Sequence, residues 1–357
     1  MNFLDDQYKD LVIDILNGGN IKTDRTGTGT HSIFGQSIYH AMRDGFPIIT
    51  MKEVWWKGVV TELLWMLSGS TNIQPLVKEG NYIWVGDAYK NFLKNSVPHD
   101  HLETKEEFIN KIKTDDEFAE KWGSLGPVYG SQWRNWNMCL DVKHPNIQNE
   151  NYSLTIKSSI DQIQNLIHDL KTNPDSRRLI VSALNVGEIE NMVLPPCHYG
   201  FQVYTRELSD NERWSWYSKQ IDSTMHHDHI VQKMNDNNVP TRAISLMWNQ
   251  RSVDVPLGLT FNIASYGLLL HILAKMTNMV PDQLIGNLGD CHIYNNQLDQ
   301  AQKMIDNAQH FDLPTLQISD SVNFNGTIDD MLESCTWEDF KLNGYENNGK
   351  IVFELNN

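Results

Sequence analysis

Two strand-like segments constrain the fold most, because both are largely apolar at odd and at even positions. LIVSAL occupies residues 179–184 and ISLMW occupies residues 244–248. A strand that is apolar on both parities needs cover on both faces of its sheet. The pattern therefore predicts a sheet buried between other layers, and the remaining segments must supply those layers.

Helix-like and strand-like periodicities alternate along the rest of the chain. We predict helices at 4–17, 54–67 and 262–277, and strands at 178–184, 198–205, 244–249 and 291–294. The order of these elements indicates an α+β fold, in which helices cover a mixed sheet. Hydrophobic residues make up 40% of the 357, which is enough for one sizeable core.

Two polar, charge-dense stretches, at about 94–122 and 206–241, look like insertions on the surface of that single domain. In the first, Phe108, Ile109, Ile112 and Phe118 have the spacing of short amphipathic helices. The second has mixed charge, Asn-rich turns and no sustained period. We expect one catalytic domain over 1–357 that carries both insertions.

Charge and composition exclude several classes of protein. The chain has 29 Lys and Arg against 45 Asp and Glu, a net charge of −16, and no basic run that suits duplex nucleic acid. The acidic N-terminus and the lack of 18 consecutive apolar residues predict a soluble, cytoplasmic protein. The four cysteines are far apart and unpaired in sequence, which argues against disulfides and structural zinc. The trio His226, His227 and His229 matches no common zinc spacing, and we assign no metal.

The segment LPPCHYGFQVY places one cysteine at the start of a strand. Pro195 and Pro196 stop any helix, and Cys197 follows them directly. Strand alternation would put Cys197 on one face with Tyr199, Phe201 and Val203. The thiol is a candidate nucleophile if nearby cations lower its pKa, and otherwise an inert buried cysteine.

Three arginine motifs could gather an anion into one pocket. NPDSRRLIVSAL carries Arg177 and Arg178, NQRSVDV carries Arg251, and the glycine-rich DRTGTGTHSIFG carries Arg25 on what looks like a flexible loop. Guanidinium groups suit phosphate. Adjacent arginines on a strand point to opposite faces, so either one of the first pair is structural or both serve a site shared with another subunit.

Three further segments carry polar residues at positions that suit a binding or catalytic pocket. Glu62 borders the apolar stripe of its helix, where desolvation would raise its pKa and make it a candidate general acid or base. The alternative is a carboxylate that reaches solvent at the helix edge. Asn262 lies near the start of a buried helix, either as a cap or as a reader of a heterocycle edge. His292 and Tyr294 share one strand face and could hold a sugar hydroxyl, with Cys291 and Ile293 on the other.

Nine motifs together closely resemble the folate-dependent thymidylate synthases, across nearly the whole chain. In the family's order they are RTGTGT, TELLW, IW, GPVYGSQWR, DSRRLIVSA, LPPCH, QRSVDV, FNIASY and GDCHIY. The resemblance implies reductive methylation of dUMP to dTMP with 5,10-methylenetetrahydrofolate, which leaves as dihydrofolate. It also implies a homodimer, while the charge and the lack of a long apolar run predict no DNA partner and no membrane partner.

The resemblance implies a role for each matching residue. Cys197 would add to uracil C6, with Glu62 and Tyr129 in proton transfer and Asp254 and His198 in support. The dUMP site would comprise Arg25, Gln250, Arg251, Ser252, Asn262, His292 and Tyr294, with Arg177 and Arg178 donated across the dimer. The folate site would comprise Lys52, Ile83, Trp84, Asp254, Leu257, Gly258 and Phe261.

Two alternatives remain open at this point. The C-terminus FELNN is polar where many relatives end in small apolar residues that close over the folate. Poor closure would admit water, so a dUMP hydroxymethylase is one alternative. A nucleotide- or RNA-binding regulator without turnover is the other, and the joint presence of Cys197, Glu62 and Tyr129 argues against it.

Overall fold

A computed structural model describes residues 2–96, 103–143, 153–220 and 230–356. The helices are α1 Phe3–Gly18, α2 Trp56–Leu67, α3 Gln74–Lys78, α4 Val85–Asn95, α5 Lys105–Thr114, α6 Asp116–Trp122, α7 Gly130–Arg134, α8 Gln162–Thr172, α9 Asp210–Gln220, α10 Ile230–Asp236, α11 Thr260–Met276, α12 Leu298–Asn307 and α13 Ile328–Glu333. The strands are β1 Asn20–Lys22, β2 Thr30–Ala41, β3 Trp136–Lys143, β4 Ser153–Ile160, β5 Ile180–Ser182, β6 His198–Glu207, β7 Arg242–Asp254, β8 Val280–Tyr294, β9 Thr315–Ile318 and β10 Phe340–Asn343. The predicted α+β class with a mixed sheet is confirmed.

The main sheet has six strands in the order β1-β2-β8-β7-β6-β5. β7 and β8 run parallel, and every other neighbouring pair is antiparallel. Parallel strands need a long crossover, and here α11 supplies it between β7 and β8. β3 with β4, and β9 with β10, form separate two-stranded ribbons.

The two faces of the sheet differ in burial. Paired residues Ile38, Gly286, Trp248, Phe201 and Val181 form one row across five strands, and all are buried. Trp248 of this row stacks on Tyr266 of α11, with ring centroids 5.3 Å apart. The apolar α11 is therefore the cover of this inner face.

The next row of paired residues lies on the outer face and keeps solvent contact. It consists of Tyr39, Ile285, Met247, Gln202 and Ile180, of which Tyr39 and Ile180 are exposed and the others half-buried. The expectation that both faces are covered is therefore wrong within the described part of one chain. Apolar residues do occur at both odd and even positions. In the described parts of the chain, however, the helices cover the inner face and leave the outer face in contact with solvent.

Several predicted boundaries need correction. The strand expected at 178–184 spans only Ile180–Ser182, because residues 173–178 form turns held by side-chain hydrogen bonds. The strand expected at 291–294 begins at Val280, and its glycines and polar residues conceal it in the sequence. The loop expected around DRTGTGTHSIFG ends at Gly29, since β2 starts at Thr30.

The predicted insertions contain helices. In the first, Phe108 and Ile112 of α5 are buried, as their spacing predicts, while Ile109 and Phe118 are partly buried. The second contains α9 and α10, which the lack of a sustained period did not predict. These helices pack around Tyr217 in a small cluster separate from the main core.

The segment Val255–Met276, which contains α11, is long and apolar enough to cross a membrane. In this fold 67% of its most apolar window is buried inside the protein. Its apolar character therefore has an explanation in the packing of the core.

Candidate active site

One end of the six-stranded sheet gathers the motifs that the sequence carries separately. β6 begins at His198, β7 ends at Asp254, and β8 ends at Tyr294. The strand register pairs His198 with Gln250, Asp254 with His292, and Thr30 with Tyr294. Segments more than 200 residues apart in sequence thus meet at this end.

Cys197 immediately precedes β6 and is half-buried at the centre of this cluster. Its backbone N–H donates to the hydroxyl of Tyr129 over 2.9 Å. Burial raises the pKa of the thiol, and the guanidinium groups of Arg251 and Arg25 act in the opposite direction. Further positive charge at this site would favour the thiolate.

Arg251 is held beside the thiol by the segment that carries the cysteine. Its Nε donates to the carbonyl of Pro196 over 3.0 Å, and its Nη2 donates to the carbonyl of Pro195 over 2.9 Å. The backbone N–H of Arg251 donates to the carbonyl of Cys197 over 2.8 Å. The two prolines therefore do more than end a helix, because their carbonyls orient the guanidinium group.

The predicted face of β6 is wrong at one residue. Phe201 and Val203 are buried, but Tyr199 is exposed. The register shifts between His198 and Gly200, where a bulge breaks the alternation. This bulge lies next to Cys197 and turns Tyr199 out of the core.

Glu62 lies buried in the middle of α2, as its helical spacing predicts. The indole Nε1 of Trp84 donates to its Oε1 over 2.8 Å. Burial raises the pKa of Glu62 to about 7, although the Trp84 hydrogen bond opposes that rise. A carboxyl group with this pKa can both give and take a proton near neutral pH.

Aromatic rings connect this carboxylate to the cysteine. The ring centroid of Tyr129 lies 5.8 Å from Trp84 and 4.4 Å from His198. Nδ1 of His198 lies 2.8 Å from the hydroxyl of Tyr266, and burial lowers the histidine pKa to about 3, so the ring is neutral. Tyr266 is a site residue that the sequence reasoning missed; its position four residues after Asn262 on α11 is the signal that could have found it.

Tyr129 has an unusual backbone conformation for a residue with a side chain. Its φ of 23° lies in the left-handed region, just before α7. Such strain occurs where the surrounding structure holds a residue in place. The buried ring and its hydroxyl contact to Cys197 are the interactions that hold it here.

Asn262 is not a helix cap, because α11 begins two residues earlier at Thr260. Its Oδ1 accepts a hydrogen bond from Nε2 of the buried Gln250 over 2.9 Å. Oε1 of Gln250 in turn accepts from the indole of Trp248 over 3.1 Å, which orients both amides. The capping role falls to Asp254, whose Oδ1 accepts from the N–H of Leu257 over 3.0 Å.

The predicted pair at the end of β8 does share one face. The rings of His292 and Tyr294 are 5.2 Å apart and nearly perpendicular, while Cys291 and Ile293 are fully buried on the other face. Ser252 is half-buried on the neighbouring strand β7, two residues before Asp254, which pairs with His292.

Leu257, Gly258 and Lys52, three of the residues expected at the folate site, lie near Asp254. Burial raises the pKa of this carboxyl group, and the Leu257 amide opposes that rise. A Cβ added to Gly258 would lie only 3.8 Å from both Asp254 and Asn262, so this glycine adjoins both side chains. Ile83, Leu257 and Phe261 are partly buried, and Trp84 is buried.

Lys52, which is expected at the folate site, is buried. Its side chain is 3% exposed, and its Nζ lies 5.6 Å from the ring centroid of Phe353. Burial lowers its pKa to about 8, and Asp254 acts in the opposite direction. The ammonium group of Lys52 therefore lies near the Phe353 ring and Asp254, away from solvent.

Arg25 approaches the site from an exposed loop that is held by Asp24. The Asp24 carboxylate accepts hydrogen bonds from the backbone of Thr26 and of Gly29, each over 2.8 Å. The Thr28 hydroxyl of the same loop donates to Oδ1 of Asn356 over 3.0 Å. The polar C-terminus therefore docks on this loop.

Arg177 and Arg178 are the predicted site residues that the structure does not bring to Cys197. Both are exposed, in a turn whose Pro174 carbonyl accepts from Thr205 over 2.7 Å. Thr205 lies eight residues along β6 from Cys197, which corresponds to about 26 Å. These two arginines therefore cannot serve the cysteine of their own chain.

Metal ligands do not cluster within the described residues: no group of three or more His, Cys, Asp or Glu could hold an ion there. His226, His227 and His229 lie outside the described residues.

Comparison with known proteins matches the chain to the family model described as Thymidylate synthase, over residues 6–356. A curated protein of Mesoplasma florum named thymidylate synthase is 37% identical over 98% of this chain and 99% of its own length. Those of Mycoplasma genitalium and Malacoplasma penetrans, with the same name, are 39% and 37% identical. They match 83% and 91% of this chain and 83% and 93% of their own lengths, respectively.

Proposed function

Because this chain belongs to the thymidylate synthase family, we propose that its own residues convert dUMP into dTMP with Cys197 as the nucleophile. The chain is an enzyme, a methyltransferase that acts on dUMP. The hydroxymethylase and the regulator without turnover gain no support from the relatives, which carry the name thymidylate synthase. The observation that carries the residue assignment is the contact set of Cys197 with Tyr129 and Arg251.

The first step is the addition of the Cys197 thiolate to C6 of the uracil ring. The Sγ–C6 bond forms, and the electron pair moves to give an enolate-like C5 with negative charge on O4. Arg251 and Arg25 favour the thiolate that this addition requires. The bond breaks again at the end, when the thiolate leaves.

Asn262 reads the base in this proposal. Its Oδ1 already accepts from Gln250, so the amide is oriented with Nδ2 available to donate to O4 of uracil. Cytosine has an amino donor at that position, and two donors would face each other. The buried Gln250 thus sets the preference for uracil without touching the base.

Glu62 and Tyr129 move protons. Glu62 has a pKa of about 7, so it can cycle between its two protonation states at neutral pH. The hydroxyl of Tyr129 accepts from the Cys197 amide, and it can assist removal of the C5 proton. Neutral His198 supports the Tyr129 ring.

The family uses 5,10-methylenetetrahydrofolate, and the residues around Asp254 fit such a group. Leu257, Phe261 and Ile83 offer partly exposed apolar surface, and the buried Asp254 carboxyl can bond a ring nitrogen. When bound, the folate supplies the one-carbon unit and the hydride. Lys52 and Trp84 would complete the site.

We propose a homodimer in which Arg177 and Arg178 of the partner subunit join Arg25, Arg251 and Ser252 at the phosphate. Two observations support it. Among the described residues, the outer row of the sheet is mostly apolar and keeps contact with solvent. The arginine turn lies about 26 Å from its own cysteine along β6. His292 and Tyr294 would hold the sugar hydroxyl, and we expect the cytoplasm as the compartment.

The experiment is an assay of the purified enzyme with dUMP and 5,10-methylenetetrahydrofolate, with dihydrofolate followed by absorbance and the nucleotide identified by mass. We expect dTMP with equimolar dihydrofolate from the native enzyme. Cys197→Ser should abolish turnover and leave dUMP binding largely intact, whereas Cys335→Ser, at a cysteine outside the site, serves as the control. Full activity of Cys197→Ser would refute the nucleophile.

A further inference from the structure

The second insertion joins the sheet at the end opposite Cys197, where β6 ends and β7 begins. Leu208 and Thr241 close the base of the insertion through a backbone hydrogen bond of 2.9 Å. Arg206 holds the insertion to the sheet, because its Nε donates to Asp282 over 2.9 Å and its Nη2 contacts Glu212 over 2.8 Å. Arg242 faces the other way, toward residues 173–178, which we call the arginine turn.

Arg242 links β6 to the arginine turn through hydrogen bonds. Its Nε and Nη2 donate to the hydroxyl of Thr205 over 3.2 and 3.0 Å, and Nη2 also donates to the carboxylate of Asp175. The Thr205 hydroxyl in turn donates to the Pro174 carbonyl over 2.7 Å. The guanidinium is largely buried, with 14% of the side chain exposed.

The arginine turn is also anchored at its start, where the Asn173 amide donates to the Asp169 carbonyl of α8 over 2.7 Å. The Arg178 amide bonds the hydroxyl of Ser176, which lies in the same turn and cannot fix its direction. At its other end, the Val203 amide donates to the Leu179 carbonyl over 2.9 Å, and strand pairing of β5 begins at Ile180. Between these two ends, Thr205 and Arg242 tie Pro174 and Asp175 of the turn to the sheet.

We propose that Arg242 is a positioning residue for phosphate binding, which acts through the arginine turn on the active site of the partner subunit. The inference rests on the proposed dimer with donated arginines, and it gives the base of the second insertion a role in catalysis at a distance. Arg242 touches no substrate. It bonds to Asp175, which belongs to the turn that presents the two guanidinium groups.

The expected effect is moderate, because Asp175 is 75% exposed and exposed ion pairs are weak. Arg242→Met should raise the KM for dUMP about three- to ten-fold and change kcat less than about two-fold. Asp175→Ala, on the exposed partner, removes this ion pair with little risk to folding and should raise the KM for dUMP in the same direction. The inhibition constant of inorganic phosphate, used as a competitor of dUMP, should rise by the same factor.

Arg206→Met is the matched control. Arg206 occupies the opposite strand at the base of the same insertion, but its contacts are to Asp282 and Glu212. We expect it to leave the KM for dUMP and the phosphate inhibition constant unchanged. An equal rise in Arg206→Met would overturn the proposal, since any disturbance of the insertion would then suffice.

Hybrid dimers test whether Arg242 acts across the subunit interface. In a dimer of an Arg242→Met chain and a Cys197→Ser chain, the intact Cys197 receives the arginine turn of the chain with intact Arg242, so the KM should be native. In a dimer of a native chain and a chain with both substitutions, the intact Cys197 receives the loosened turn, so the KM should be raised. The opposite pair of results would overturn action in trans.

Arg178→Met separates failure of this inference from failure of the proposed function. If Arg178→Met raises the KM for dUMP and Arg242→Met does not, only the role of Arg242 is refuted. If Arg178→Met also leaves the KM unchanged, the donated arginines themselves are refuted, and the inference falls with them.

Discussion

The indole N–H of Trp84 donates to the carboxylate of Glu62 over 2.8 Å, and both side chains are buried. Burial penalises the ionised carboxyl group more than the single hydrogen bond favours it, so the pKa of Glu62 rises to about 7. The same buried pair that makes Glu62 useful as an acid and base therefore costs stability once Glu62 ionises. This cost is measurable.

Glu62→Gln should stabilise the protein at pH 8 and not at pH 5. The folded pKa of about 7 lies above the ordinary value of 4.5, so the native state loses stability as the pH rises through this interval. The full cost, present above pH 7, is about 3 kcal/mol at most, which corresponds to about 2–4 °C in Tm. Thermal unfolding at both pH values measures this difference in stability. In addition, kcat should fall at least about 100-fold, because the general acid and base is lost. An equal Tm shift at both pH values would contradict the assignment.

Arg251→Gln should slow alkylation of Cys197. The guanidinium lowers the thiol pKa against the effect of burial, so its loss should raise that pKa further and reduce the thiolate fraction at pH 8. The rate of iodoacetamide reaction as a function of pH measures the shift. Arg206→Gln, at the far end of the sheet, should leave the profile unchanged; an unchanged profile for Arg251→Gln would show that the charge does not act on the thiol.

Asn262→Asp should move base preference from dUMP toward dCMP. The aspartate keeps an oxygen that can accept from Gln250, and it replaces the Nδ2 donor by an acceptor for the cytosine amino group. We expect kcat/KM for dUMP to fall by about 100-fold or more. Steady-state kinetics with both nucleotides decide the matter, and unaltered dUMP turnover would refute this reading of the base edge.

His40→Gln should reduce the loss of stability that the protein shows at acidic pH. His40 is buried, its Nε2 lies 2.8 Å from the Gly45 carbonyl, and burial lowers its pKa below the ordinary 6.5. A depressed pKa means that the neutral ring contributes stability above pH 6.5, which is lost as the pH falls through the folded value. Glutamine can still donate to Gly45 but does not titrate. Tm measured from pH 7 to pH 4 should decline less in the variant, and parallel curves would contradict this.

Asn356→Ala should weaken closure of the site. The Asn356 amide exchanges hydrogen bonds with Asn296 over 3.0 and 3.2 Å and accepts from Thr28, which ties the tail to the loop of Arg25. Loss of these exposed bonds should lower kcat/KM for the folate about three- to ten-fold. Asn343→Ala is the control, because the Asn343 amide donates to Gln317 on the separate ribbon of β9 and β10. Native kinetics for Asn356→Ala would show that the tail contacts do not matter.

The local patterns predicted some elements well and others poorly. α1, α2 and α11 start and end within two residues of the expected helices, because long apolar periods depend only on the chain's own spacing. The sequence patterns did not predict most of β8, because its two glycines and its polar residues are unusual in a strand. They are accommodated here by packing against Trp248 and by pairing with β2. The bulge at Tyr199 likewise depends on pairing with β7.

The sequence by itself determined which groups are present for the chemistry: one thiol after two prolines, one carboxylate on an apolar helix, and several scattered arginines. Only the tertiary structure decided which of them meet. It placed Arg251 against the carbonyls of Pro195 and Pro196, and it placed Arg178 at the far end of β6. The physical reason is that residue type and spacing act along the chain, whereas burial, pKa and reach depend on strand register, which only the packing of distant segments sets.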